Sequence, residues 1–422
     1  MDRAPATFGI EEEFVLLDPR TLRTADLGLR AVGDLRETCP GIVTREFFPS
    51  QIEYATPVCT DAASAVAAVG GFRRALAAWA EHADVVVAPA GTPFAVSSRA
   101  PDWQGRYREI ARDIAGLAAE HQLNGLHVHV GIPDRDAGVR ASNALRPWLP
   151  VLLGLSANSP FWQGVDTGFA SWRAIHSRRW TTYGIPPRFA DAADYDAVLD
   201  RLTGIGATSD AGTINWYARL SASHPTLEVR VCDVQLDGPS GVALACVIRA
   251  LASAAFEGRP PGDAAKTPGD ATPVDAVPGD ATPVDAVPGD AALWDAATWH
   301  AARYGAAATL VSPVTQRLAP ASAVIAELAQ HVAPFLAAGE RSLVGRFLAT
   351  VQHRGDGASR QRRAHLRGDL PGLYRGALSA DARCDASSVD AAQSGHAARD
   401  VAGFSVGAVR DSASPTPGGS TA

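Results

Sequence analysis

Four short stretches of this 422-residue chain alternate apolar residues with ionisable ones. They are Ile10-Glu-Glu-Glu-Phe14, Gln51-Ile-Glu-Tyr54, Leu126-His-Val-His-Val130 and Leu227-Glu-Val-Arg-Val231. Side chains two apart on a strand share a face. Glu11 therefore lies beside Glu13, Gln51 beside Glu53, His127 beside His129, and Glu228 beside Arg230. The intervening residues are mostly apolar (Ile10, Ile52, Val128, Leu227, Val229), and Glu12 blurs the first strand. Any one such alternation also describes a half-buried strand with a solvated polar face. The set points further, because ordinary solvated faces mix Thr, Lys, Ser and Gln. Carboxylates gathered on one face repel each other unless a cation lies among them. Mg²⁺ or Mn²⁺ meets that need with oxygen ligands, and imidazole tolerates Mn²⁺. Carboxylates plus arginines on one sheet face can hold metal ions and a polyphosphate together.

Strand patterns fall at 8–17, 47–55, 85–90, 124–132, 214–222 and 226–232. Helical patterns fall at 61–82, 102–122, 138–156, 194–202, 240–256, 294–308, 321–337 and 342–352. The two types do not alternate strictly, so an α+β fold is expected, with an antiparallel sheet and helices on one face. Residues 158–190 read as a long ordered loop carrying Arg173, Arg178 and Arg179. Arginine forks suit phosphate and carboxylate groups, although surface charge explains them equally. The cluster from Gly355 to Arg363 reads either as a phosphate-facing turn or as surface charge. Residues 269–278, GDATPVDAVP, recur unchanged at 279–288, so 258–292 is expected to be a disordered insert. One domain is expected over 1–369, followed by a low-complexity, disordered tail over 370–422.

Composition excludes several classes. The net charge of −7 argues against a general nucleic-acid or anionic-membrane binder. Lys266 is the only lysine, so neither a P-loop nor a Schiff-base lysine outside the insert is available. The five scattered cysteines form no C-x-x-C pair, which fits a reducing cytoplasm. The N-terminus shows no apolar signal region. Charged residues, Gly or Pro are expected to interrupt every apolar stretch before the ~18 residues of a membrane span.

Eight segments carry a family resemblance. They are Gly9-Ile-Glu-Glu-Glu-Phe14, Gln51-Ile-Glu-Tyr-Ala-Thr-Pro-Val58, Gly125-Leu-His-Val-His-Val-Gly131 and Leu155-Ser-Ala-Asn-Ser-Pro160. Next come Gly164-Val-Asp-Thr-Gly-Phe-Ala-Ser171, Leu227-Glu-Val-Arg-Val-Cys-Asp233, Ala301-Ala-Arg-Tyr-Gly305 and Arg360-Gln-Arg-Arg363. Over about residues 7–368 the chain resembles the carboxylate-amine ligase family of bacterial glutamate–cysteine ligase type 2 proteins, the γ-glutamylcysteine synthetases.

The resemblance implies a glutamine-synthetase-like catalytic fold whose antiparallel sheet forms a funnel for ATP, metal and glutamate. It implies an ATP-dependent ligase of glutathione biosynthesis, forming γ-glutamylcysteine through a γ-glutamyl phosphate with release of ADP and phosphate. It implies metal ligation by Glu11, Glu13, Glu46, Glu53, His127 and Glu228, with Glu53 also catalytic. It makes Arg230 the neutraliser of the transferring phosphoryl group, and His129, Arg173 and Arg179 binders of substrate or ATP. The expected cofactors are ATP and Mg²⁺ or Mn²⁺. The expected partners are glutamate and cysteine or another amine, and fold analogy suggests a homo-oligomer. A non-catalytic nucleotide-binding relative is the remaining alternative. A metal-dependent amidohydrolase is weakly suggested by His127-Val-His129, but that motif sits far from the N-terminus and the sole lysine is in the insert.

Overall fold

The computed structural model describes residues 6–97, 101, 103–259 and 290–380. The repeats of the expected insert and everything after residue 380 lie outside the described residues.

Eleven strands occur among the described residues. They are β1 (Phe8–Leu17), β2 (Ile42–Arg45), β3 (Gln51–Ala55), β4 (Val86–Ala88), β5 (Gly125–Gly131), β6 (Phe161–Trp162), β7 (Val165–Asp166), β8 (Ala218–Leu220), β9 (Thr226–Asp233), β10 (Thr309–Val311) and β11 (Leu318–Pro320). Seven of them form one sheet in the order β2-β3-β1-β5-β9-β8, with β4 pairing the end of β1. Every pairing in it is antiparallel. The ribbons β6-β7 and β10-β11 stand apart. An α+β fold built on an antiparallel sheet is thus what the chain forms.

One face of the sheet carries the main helical layer. Phe14, Leu16 and Ile52 bury against Phe72 and Leu76 of the helix Ala62–His82. Asp61 starts that helix by accepting the Ser64 N–H at 2.8 Å. Phe8, Ile10, Leu126 and Val128 bury in a larger core with the helix Gly238–Phe256. The helices Ala62–His82, Arg135–Leu145 and Ala338–Arg354 pack around that helix. The helix Gly238–Phe256 is long and apolar enough to cross a membrane by length and composition, although Pro239, Gly241 and Arg249 interrupt it. Fifteen of its residues are buried inside the protein, where it acts as the central core helix.

The blurring residue, Glu12, lies on this same face and is fully buried. Its two oxygens take Arg73 Nε at 2.9 Å and Nη2 at 2.6 Å. Arg73 also lies over the Phe14 ring at 5.2 Å. Glu12 therefore belongs to the core, and the period of two survives it.

The sequence patterns fail locally where elements are short. The expected strand at 47–55 begins only at Gln51, and β2 precedes it. The expected loop at 158–190 contains the β6-β7 ribbon and the helix Trp172–Ser177. The expected helix at 138–156, with a kink expected near Pro147 and Pro150, is two helices, Arg135–Leu145 and Leu149–Ser156, separated beside Pro147. A domain end at 369 is also corrected, because the helix Leu370–Ala380 is part of the fold. Leu370, Tyr374 and Ala377 bury in one cluster with Val15, Leu17, Val86 and Ala88. They close one end of the sheet face opposite the main helical layer.

Candidate active site

The register brings the ionisable residues together. Glu13 stands opposite Glu53 across β1-β3, and Glu11 opposite His127 across β1-β5. His129 stands opposite Glu228 across β5-β9, and Glu228 opposite Arg219 across β8-β9. Between Leu126 and Val128 the β5-β9 register shifts, so that Arg230 and Val231 share the place facing His127. The irregularity falls beside Arg230, which keeps the face of Glu228 two residues before it and pairs with it. These groups are not a solvated face: Glu11, Glu13, Glu53 and His127 are only 8%, 7%, 6% and 5% exposed.

Two groups of three possible ligands result. Glu13, Glu46 and Glu53 offer oxygens within 4.8 Å of one another. Glu11, His129 and Glu228 offer a second such set. His129, rather than the expected His127, completes the second set. Its Nε2 lies 3.0 Å from Glu11 Oε1, and its Nδ1 lies 2.9 Å from Thr226 Oγ1. His127 sits between the groups, with Nδ1 3.2 Å from Glu11 Oε2 and Nε2 3.8 Å from Glu13 Oε1.

The electrostatics of the two groups differ. Burial raises Glu53 well above the usual carboxylate range, and the charges of Glu11 and Glu46 add to it. Burial and Glu13 push Glu46 up to about 7. Burial also raises Glu13, against the opposing pull of Arg173. Glu53 Oε1 is buried and accepts no hydrogen bond. Two buried carboxylates and the half-buried Glu46, with one orphaned oxygen, form an all-oxygen set that fits a hard divalent cation. In the second group, burial opposes ionisation of Glu11, but His129 and His127 outweigh it and hold the carboxyl low. Burial likewise opposes ionisation of Glu228, and Arg219, Arg230 and His129 outweigh it. Burial and Arg230 lower His127 to about 4, so its imidazole is neutral near pH 7.

Glu13, Glu46, His127, Arg173 and Arg230 converge on one cavity. Phe47, Leu123, Trp180 and Tyr183 form its less polar wall. Arg230 bonds Glu228. Gly125 is required where Arg173 passes: a Cβ there would lie 2.5 Å from Arg173 Nη2 and 2.8 Å from His127 Nε2. Arg173 Nη2 donates to the Arg230 carbonyl at 3.1 Å.

Arg179, expected beside Arg173, is instead committed to Glu120 at 2.7 Å and to the His176 carbonyl at 3.1 Å. The cluster at 355–363, read either as a phosphate-facing turn or as surface charge, uses its arginines in ion pairs and hydrogen bonds within the protein. Arg362 forks onto Asp166 at 2.8 Å, Arg360 pairs with Asp237 at 3.3 Å, and Arg363 bonds the Arg354 carbonyl. Two residues escaped the sequence patterns. Arg219 clamps Glu228 through Nε at 2.7 Å, and its signal was only the short alternation of β8. Asp233 is fully buried behind Arg173, at 3.8 Å from Nη1. It closes the β9 motif, but nothing in that motif marks it as ionic.

The glutamate–cysteine ligase family 2 model matches residues 7–382. A candidate glutamate–cysteine ligase 2-1 of Saccharopolyspora erythraea is 38% identical over 364 residues, spanning 86% of this chain and 90% of that protein. A candidate glutamate–cysteine ligase 2 of Salinispora tropica is 38% identical over 360 residues, spanning 85% and 89%. Among solved structures, a glutamate–cysteine ligase of Francisella tularensis in complex with AMP aligns with a TM-score of 0.62 at 12% identity. That alignment covers 91% of this chain and 90% of that one. A bifunctional glutathione synthetase of Pasteurella multocida aligns with a TM-score of 0.64 at 15% identity, covering 90% of this chain and 53% of that one. The two solved structures bear on the fold, and the sequence match fixes the family: this chain belongs to the glutamate–cysteine ligase family 2.

Proposed function

We propose that the protein is an ATP-dependent ligase that joins the γ-carboxylate of glutamate to the amine of cysteine. The observation that carries this reading is the meeting of two carboxylates, Glu13 and Glu46, a neutral imidazole and two arginines on one cavity. A carboxylate cluster alone fits a cation, and arginines alone fit an anion. Both together suit a metal-bound polyphosphate. The family and the relatives' names support glutamate and cysteine as substrates.

In the proposed reaction a γ-carboxylate oxygen of glutamate attacks the γ-phosphorus of ATP, and the bond to ADP breaks. The amine nitrogen then attacks the acyl carbon, phosphate leaves, and the nitrogen loses its proton. Glu13, Glu46 and Glu53 would hold one divalent cation, and Glu11, His129 and Glu228 a second. When bound, Mg²⁺ or Mn²⁺ would neutralise phosphate charge. Arg230 offers its guanidinium to the transferring phosphoryl group, and Glu228 orients that guanidinium. Arg219 holds Glu228 from the far side. Arg173 presents a second fixed cation to a phosphate or to the substrate carboxylate. No dedicated base is needed if the amine arrives deprotonated.

Phosphate release from ATP with Mg²⁺ and L-glutamate, across amines with and without cysteine, tests the proposal. Release that needs both glutamate and cysteine is expected. Release with another amine keeps the chemistry and changes the acceptor. No release with any pair, in folded protein, points to a non-catalytic relative.

The two loop arginines should separate in the same assay. Arg173→Ala is expected to lower kcat/KM about 10²-fold, as loss of a fixed charge donor does. Arg179→Ala should change it by less than about three-fold, because its partner Glu120 is exposed and such pairs contribute little. Equal losses would return Arg179 to the site.

A further inference from the structure

Arg173 reaches the cavity from the helix Trp172–Ser177, which follows the β6-β7 ribbon. That connection is irregular, so something must fix where its end lies. The fixing group is one carboxylate. Asp233 Oδ2 accepts the Asn158 N–H at 2.8 Å and the Ser159 hydroxyl at 2.7 Å. Its Oδ1 accepts the Ser171 hydroxyl at 2.9 Å and lies 3.8 Å from Arg173 Nη1. Ser159 Oγ in turn accepts the Arg173 N–H at 3.1 Å. One side chain thus ties both ends of the 158–173 segment to the end of β9.

The fit is close. A Cβ at Gly91 would lie 2.7 Å from Asp233 Cγ, so only glycine admits the carboxylate there. Asp233 is fully buried and does not line the cavity. The network continues outward. Gln361 Nε2 donates to Asn158 Oδ1 at 2.6 Å, and the Tyr374 hydroxyl donates to Gln361 Oε1 at 2.8 Å. The helix Leu370–Ala380, the last among the described residues, is therefore linked to the back of the site through three side chains.

We infer that Asp233 is a positioning residue, which holds Arg173 in the cavity by pinning the segment that delivers it. The inference rests on the ligase reading for Arg173's task, but its geometry does not. Asparagine in its place keeps one acceptor oxygen and turns an N–H donor toward groups that themselves donate. The charge that faces Arg173 also disappears.

A double-mutant cycle in the phosphate-release assay tests the inference. Asp233→Asn is expected to slow release about 10²-fold in the wild-type background, as loss of the Arg173 charge would. In the Arg173→Ala background the same change should cost less than about three-fold. Losses that multiply fully would show that Asp233 acts elsewhere and overturn the inference. A readout without turnover is the rate at which an α-dicarbonyl reagent modifies Arg173, followed by peptide mass spectrometry. Faster modification in Asp233→Asn is expected, and an unchanged rate overturns the inference. Should Asp233→Asn fail to fold, Ser171→Ala removes one bond to the same carboxylate, together with the cap that Ser171 gives the helix Trp172–Ser177, and should shift both readouts the same way by less. If the wild-type protein releases no phosphate with any amine, the ligase reading has failed, and the labelling rate alone decides the role of Asp233.

Discussion

Glu53→Gln is expected to abolish ATP turnover and, in metal-free protein, to stabilise the fold. Glu53 is buried with Glu13 on the opposite strand and with Glu46 within ligand distance. A cation placed among them stabilises transition-state charge by several kcal/mol. Loss of that contribution corresponds to a fall of roughly 10³-fold in rate. Without the cation the same carboxylate is a burden. Its folded pKa lies well above the usual carboxylate value, chiefly through burial and then through Glu11 and Glu46. A raised folded pKa means that the native state binds more protons than the unfolded one. Stability is then full below the unfolded value and is lost as pH rises toward the folded value. A neutral amide removes that loss, so at pH 7 with chelator the mutant should be the more stable of the two. Added Mn²⁺ should raise the melting temperature of wild type more than that of the mutant. Denaturation scans with and without Mn²⁺, beside the turnover assay, check both halves. Retained turnover, or a metal-induced shift as large as that of wild type, would remove Glu53 from the proposed metal site.

Much of this site was legible because a strand's period is unambiguous. Glu11, Glu13, Glu53, His127, His129, Glu228 and Arg230 all fall where alternation put them, on one face of adjacent strands. What alternation cannot give is register. Which histidine meets Glu228 depends on the β5-β9 register, and no local pattern announces that register or the bulge within it. Arg219 was hidden for a related reason, since β8 spans only three residues. Loop arginines were the weakest inference. Arg173 and Arg179 look alike in sequence, yet Arg173, in the first turn of the helix Trp172–Ser177, reaches the cavity, while Arg179, in the turn beyond its end, pairs with Glu120. The helix Leu370–Ala380 was missed because Ala, Gly and Ser dilute its apolar stripe. Only packing against Val15 and Leu17 reveals its worth.

Arg73→Met is expected to destabilise the protein by about 3–5 kcal/mol, the usual cost of stranding one member of a buried ion pair. The pair is unusually complete. Glu12 takes two bonds from Arg73, whose Nη1 and Nη2 also donate to the Leu236 and Gln235 carbonyls, each at 2.9 Å. Methionine fills much of the volume but leaves a buried carboxylate and two carbonyls without these donors. Removing both charges, in Glu12→Leu with Arg73→Met, should recover part of the loss. The carboxylate then no longer needs a partner, although the two carbonyls still do. Chemical denaturation with a shared slope measures both changes. Turnover per folded molecule should hold in each, because Glu12 and Arg73 lie on the helical side of β1, opposite the carboxylates of the site. A loss below about 1 kcal/mol in the single mutant would mean that water reaches Glu12. A loss of turnover in the double mutant, with stability recovered, would mean that the two faces of β1 are coupled. The division of the sheet into a supporting face and a chemical face would then fail.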